Sequence, residues 1–141
     1  MVRPHQLLWR RVLGLSVLAL ACLLSRAISA QSVSLYSEAR HFSVRVIGLR
    51  EPEQVNRMHG FGLFLTTADG TPAAGAAVRL TGHRLHAPNS LPTAPRVSPG
   101  PEAGAYLVEG LRFHMAGEWR LIFEIESGKI RDSAMLDIVV K

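Results

Sequence analysis

Histidine and methionine stand side by side twice in this chain, as Met58-His59 and as His114-Met115, and two further histidines, His83 and His86, bracket the start of a proline-rich stretch. Imidazole nitrogen and thioether sulfur are ligands for late transition metals, and soft sulfur selects Cu(I) in particular. Met58, His59, His83, His86, His114 and Met115 are therefore the candidate metal ligands, with copper as the metal they suit. His41 alternates with apolar neighbours and reads as a surface residue. Other chemistry is not legible. No serine sits in a strand-to-helix elbow of the kind that exposes a nucleophile. The paired carboxylates Glu124 and Glu126 lie two apart on the polar face of a strand, where solvation explains them. The one cysteine, Cys22, falls within an apolar N-terminal run of the sequence. The expectation is a protein that binds rather than catalyses, with no catalytic residues and no organic cofactor.

The elements that carry these side chains follow from a two-residue rhythm. Phe42, Val44 and Val46 alternate with Ser43 and Arg45; Phe61, Leu63 and Leu65 share a face, and Asp69-Gly70 supplies a turn after them. Ala76, Val78 and Leu80 resume the pattern, and Tyr106 and Val108 continue it. Trp119, Leu121, Phe123 and Ile125 form the clearest stripe, opposed by Glu118, Arg120, Glu124 and Glu126; Ala134, Leu136, Ile138 and Val140 follow the Ser127-Gly128-Lys129 turn. Period two bounded by Gly, Pro and Asn is the signature of half-buried antiparallel strands. About seven such strands are best buried by laying two sheets face to face, so the fold class is all-β, an immunoglobulin-like antiparallel β-sandwich. Trp119 and Tyr106 are expected in its core. From Gly82 to Pro101 there are five prolines, which cannot donate to a central ladder; this is a long loop or edge segment and the first place to look for a site.

The first 30 residues are of a different kind. Arg3, Arg10 and Arg11 precede 13 residues, Val12 to Leu24, that are mostly apolar, and small residues follow at Ser25, Ala27, Ser29 and Ala30. Charged, apolar, then small is the order of a secretory leader. Residues 1–30 are assigned as a signal peptide, or an anchor if left uncleaved, and 31–141 as the exported domain. Localisation is then periplasmic or otherwise extracytoplasmic, with membrane contact only through the N-terminal segment. The exported part has no cysteine, so no disulfide supports its core. The chain has 16 Lys/Arg against 11 Asp/Glu, a formal charge of +5, but four of the arginines and none of the acids fall in residues 1–30. What remains is 12 cations against 11 anions, without Lys/Arg runs or interleaved aromatics, which argues against nucleic acid as a partner.

Several segments, in order, resemble the YtkA-like family of small exported bacterial domains, relatives of which are sometimes labelled auxin-binding protein. They are Asn56-Arg57-Met58-His59, Asp69-Gly70-Thr71-Pro72, Leu91-Pro92-Thr93, and the run from Gly104 through Phe113-His114-Met115-Ala116-Gly117-Glu118-Trp119. The resemblance spans about Arg45 to Val140. It implies an immunoglobulin-like sandwich outside the cytoplasm and a link with copper or oxidase maturation. Many members carry Gly-Gly-Met-Pro-x-His-x-His-Gly directly before Leu-Pro-Thr. Here the methionine of that run falls on Arg84 and its histidines on Ala87 and Asn89, and His83 and His86 replace them only through a local shift.

The expected function is a non-enzymatic periplasmic or membrane-tethered accessory domain that binds an exported protein partner, and a copper ion, through loops at one end of the sandwich. The alternative is a structural protein-interaction module with no metal site, its proline-rich loop lining a docking edge.

Overall fold

The computed structural model describes residues 31–51 and 53–141. The leader assigned to residues 1–30, Cys22 within it, and its cleavage lie outside the described residues. Eight strands follow in order: β1 (Ser32–Tyr36), β2 (Phe42–Ile47), β3 (Met58–Thr67), β4 (Ala77–Arg84), β5 (Arg96–Pro99), β6 (Ala105–Arg112), β7 (Gly117–Ser127) and β8 (Ile130–Val140). They form two antiparallel sheets, one of five strands in the order β1-β2-β3-β6-β5 and one of three in the order β4-β7-β8. This is the expected all-β, immunoglobulin-like sandwich.

The alternating residues do what their spacing demands. Phe42, Val44 and Val46 on β2, Phe61, Leu63 and Leu65 on β3, and Tyr106 and Val108 on β6 turn inward from the larger sheet. Leu80, Trp119, Leu121, Phe123, Ile125, Ala134 and Ile138 meet them from the smaller one, all buried. Phe61 and Phe123 cross the interface edge to face, with ring centroids 6.3 Å apart. Each large apolar side chain withdrawn from water in this way contributes about 1.5–3 kcal/mol before entropy is counted. Tyr106 also meets its polar obligation. Its hydroxyl donates to the carbonyl of Ala73 at 2.7 Å and accepts from the N–H of Ala76 at 2.9 Å, tying the β3–β4 connection to the core.

Two strands lie beyond the sequence pattern. β1 carries Ser32, Val33 and Ser34 on an exposed edge, where burial imposes no strict alternation. β5 lies inside the proline-rich stretch and pairs only with β6, so Pro99 sits at the end of an edge strand, where a missing N–H is tolerated. The stretch before β5 crosses from the smaller sheet to the larger. The N–H of Leu91 returns to Gly82 at 3.1 Å, and the Thr93 hydroxyl donates to the carbonyl of Gly110 at 2.8 Å.

Gly110 marks the irregularity that shapes one end of the sandwich. His59 pairs with Leu111 and Phe61 with Val108, so β6 holds one residue more than β3 over this interval. Gly110 takes φ of 80°, which absorbs the bulge without a Cβ clash. The bulge shifts the phase of β6, and Val108, Leu111 and Phe113 all point into the core. Phe113 and Trp119 then pack at 5.2 Å, and this aromatic floor carries the loops above it.

Candidate functional site

The floor is built from Phe113 and Trp119, both fully buried. Over it, three connections converge on one end of the sandwich: residues 48–57 between β2 and β3, residues 85–91 after β4, and residues 113–116 between β6 and β7. The register requires this convergence, because Met58 is opposite Arg112, Arg84 opposite Trp119, and Gly117 opposite Val140. Met58, His59, His86, His114 and Met115 therefore belong to one end. His83 lies a little further down, on the outer face of the smaller sheet in the row His83, Arg120, Asp137.

The six candidates differ in how far their donor atoms are committed. Nε2 of His59 lies 2.9 Å from the carbonyl oxygen of Gln54, and Nδ1 lies 2.7 Å from Oε2 of Glu53. A carbonyl oxygen only accepts, so the Nε2 proton is used there, and the Nδ1 side shares a proton with the Glu53 carboxyl. Neither nitrogen is left for a metal. His59 is instead a structural residue: its ring packs at 5.9 Å from Phe113, and its partner Glu53 is only 7% exposed. Oε1 of Glu53 accepts from the N–H of Arg50, while the Glu53 backbone bonds to Val139 and Lys141. The Glu53 carboxylate thus ties the β2–β3 connection to the start of β3, and its backbone ties that connection to the last strand.

His86 faces a carboxylate in solvent, and His83 is exposed beside Arg120 in the row that ends at Asp137. Asp137 is held below the ordinary carboxylate range first by its hydrogen bonds from Arg120, which outweigh the opposing effect of burial, and further by nearby positive charge. His86, in the left-handed region at φ of 62°, places Nε2 3.9 Å from Glu118 with both side chains exposed. Met58 is 65% exposed and leans over Gly110.

His114 and Met115 are different. Nδ1 of His114 is buried and has no hydrogen-bond partner among the described residues, and the ring stands edge-on to Trp119 at 5.6 Å. An unsatisfied buried nitrogen is uncommon, because desolvating it without a partner costs on the order of 1–3 kcal/mol. The next residue, Met115, is partly exposed; its carbonyl accepts from Trp119 Nε1 at 3.0 Å, which fixes the backbone of the pair. Arg84 completes the corner. Its Nη1 lies 3.9 Å from the Met115 sulfur, and its Nε is also buried without a partner. The guanidinium lies so close over Gly117, at φ of 126°, that a Cβ there falls 3.0 Å from Nε.

A family model described as YtkA-like matches residues 37–124. The chain belongs to the YtkA-like family. Among solved structures, this YtkA-like domain is similar to the ZirS C-terminal domain, with a TM-score of 0.44 at 14% identity over 84% of this chain and 75% of that one. It is also similar to PcoC, described as a methionine-rich copper resistance protein from Escherichia coli, with a TM-score of 0.39 at 16% identity over 79% of this chain and all of that one. Likeness at this level says nothing about what the YtkA-like domain binds. No curated protein matches its sequence.

Among the described residues, no group of three or more His, Cys, Asp or Glu side chains is placed to hold a metal ion. Of the six expected ligands, His114 keeps a buried nitrogen without a partner among the described residues, and the sulfur of the next residue, Met115, receives only the long contact from Arg84 at 3.9 Å. His59 is spent on Glu53 and Gln54, and His83 and His86 look outward. Glu53 was not legible as a participant in the sequence: nothing local distinguishes it from Glu51, and its role appears only when β8 is laid beside it. A shallow groove lined by Glu38, Arg79, Glu124, Arg131 and Ser133 lies on the smaller sheet, away from this corner, and contains two exposed ion pairs.

Proposed function

We propose that this protein is a non-enzymatic accessory domain that works outside the cytoplasm and engages a protein partner through the loop corner of His114, Met115, Arg84 and His86, with Cu(I) taken between the His114 nitrogen and the Met115 sulfur. The observation that carries this reading is the buried, unpartnered Nδ1 of His114, followed directly in the chain by the exposed Met115, over the aromatic floor of Phe113 and Trp119. Family membership and the leader-like N-terminus support the extracytoplasmic setting. Imidazole with thioether is a donor set that suits Cu(I). The chain supplies two donors at this point, so a third belongs to the partner, and copper then joins the two proteins rather than residing in one.

Arg84 favours a second reading. It occupies the position where the family run carries methionine, and its positive charge beside the Met115 sulfur opposes a copper ion there. On that reading the corner is a metal-free docking surface, with Arg84 and the imidazoles as its polar contacts.

Titration with Cu(I) under reducing conditions against a competing chelator separates the two. The first reading predicts saturable binding that weakens in His114→Ala and in Met115→Leu and is unchanged in His83→Ala and His86→Ala. Absence of saturable binding removes copper and leaves the docking module.

A further inference from the structure

We propose that the other half of the same end, the rim of Arg50, Arg57, Met58 and Arg112 above the larger sheet, is a docking face for an anionic lipid surface. It deepens the accessory-domain reading, and rests on it only for placing the domain at a membrane.

The rim gathers exposed cations around an apolar side chain. On the smaller sheet Arg79 pairs with Glu124, Arg120 with Asp137 and Arg131 with Glu126, while Arg84 has no carboxylate partner among the described residues. Arg50, Arg57 and Arg112 are exposed and form no ion pair among the described residues; Arg57 reaches only the side-chain oxygen of Gln54, at 2.6 Å. Of the acids nearby, Glu53 is buried against His59, which leaves Glu51 as the exposed opposing charge on this connection. Met58 stands opposite Arg112 in the β3–β6 register, and at 65% exposure it offers an apolar side chain between cations. Cations flanking an accessible apolar group suit an interface of anionic headgroups over hydrocarbon.

Lipid is favoured over an acidic protein by where the chain enters. Ser32 pairs with Ile47, and the carbonyl of Gln31 accepts from the N–H of Gly48 at 3.0 Å, so residue 31 lies at this end beside the 48–57 connection. The apolar run of the sequence stops at Leu24. Seven residues span at most about 25 Å. While that run is in a bilayer, residue 31 and the rim beside it can lie no further than about 25 Å from the surface.

The test uses the exported protein as purified, mixed with vesicles of phosphatidylcholine alone or with phosphatidylglycerol, and follows backbone hydrogen exchange by mass spectrometry. This readout reports on the rim whether or not the N-terminal segment itself holds the protein to the vesicle. The expected result is slower exchange at residues 49–57 and 111–113 with phosphatidylglycerol only, with no change at residues 68–71 and 101–104. The protection weakens with salt, and each of Arg50→Gln, Arg57→Gln and Arg112→Gln lowers the apparent vesicle affinity roughly fivefold. Equal exchange in the two lipids overturns the proposal, as does protection that survives high salt. Protection by polyglutamate with no response to phosphatidylglycerol also overturns it and assigns the rim to an acidic protein. The salt series on the unaltered chain decides the matter even if a variant folds poorly. Cu(I) binding at His114 and Met115 is a separate readout, so the two proposals fail separately.

Discussion

Nδ1 of His59 lies 2.7 Å from Oε2 of Glu53, and this contact folds the connection between β2 and β3 back onto the start of β3. Neither residue is near the other in the sheet ladder by sequence pattern alone. Glu53 is brought there by its backbone, whose N–H bonds to Val139 and whose carbonyl accepts from Lys141. The pair explains why one histidine of a Met-His dipeptide supports the fold while the histidine of the other keeps a donor nitrogen.

Breaking that pair strands a polar group in the interior. Glu53→Gln and His59→Ala are each expected to lower unfolding free energy by about 1–3 kcal/mol, the cost of leaving a buried hydrogen-bonding group without its partner. A double-mutant cycle in urea is expected to give a coupling of about 1–3 kcal/mol. Additive effects would show that the contact is incidental.

Asp132 gives the fold an acid-sensitive joint. Burial raises its pKa, but the Ser37 hydroxyl and the N–H groups of Ala39, Ser133 and His41 outweigh that effect and hold the carboxyl well below its ordinary value of 3.8. The side chain, 4% exposed, fastens the β1–β2 turn to β8. Because the folded state depresses the pKa, the stabilisation is present above the unfolded value and is lost as pH falls below about 4. Thermal melts from pH 6 down to pH 3 are expected to show a steep loss in the native protein and a shallower one in Asp132→Asn, which starts lower. Parallel curves would contradict this.

Tyr106 and Gly104 lock the end of the molecule opposite the loop corner. Tyr106→Phe leaves the Ala76 N–H without its buried acceptor and is expected to cost on the order of 1–3 kcal/mol. Gly104, at φ of 80°, leaves a Cβ only 2.6 Å from the carbonyl oxygen of Leu65, whereas Gly70, at φ of 87°, has open space. Gly104→Ala is thus expected to lower the melting temperature far more than Gly70→Ala, although both have positive φ.

Arg84→Met tests the charge argument at the corner. It replaces a cation beside the Met115 sulfur with a second thioether, and Cu(I) affinity is expected to rise tenfold or more, about 1.4 kcal/mol per factor of ten. A competition titration gives the ratio directly. Unchanged affinity would place copper elsewhere or nowhere.

The strands were legible because burial on one face writes period two into residues such as Trp119, Leu121, Phe123 and Ile125. β1 escaped because its Ser-Val-Ser edge is under no such pressure, and β5 because its pairing is masked by prolines. At the corner, sequence brought both dipeptides to attention but had no means of ranking them. His59 and His114 look alike along the chain; they differ in that the connection leading into β3 folds Glu53 back onto His59. Glu53 and Asp132 act through contacts across the sandwich, with backbone partners up to 93 residues away, and no local pattern announces them.

The most direct test of the account is the imidazole nitrogen chemical shifts of the protein followed by NMR as Cu(I) is added under reducing conditions. The account predicts that His114 shifts together with the Met115 methyl, while His59 keeps both of its nitrogen signals. Perturbation of His59, or of none of the histidines, would contradict it.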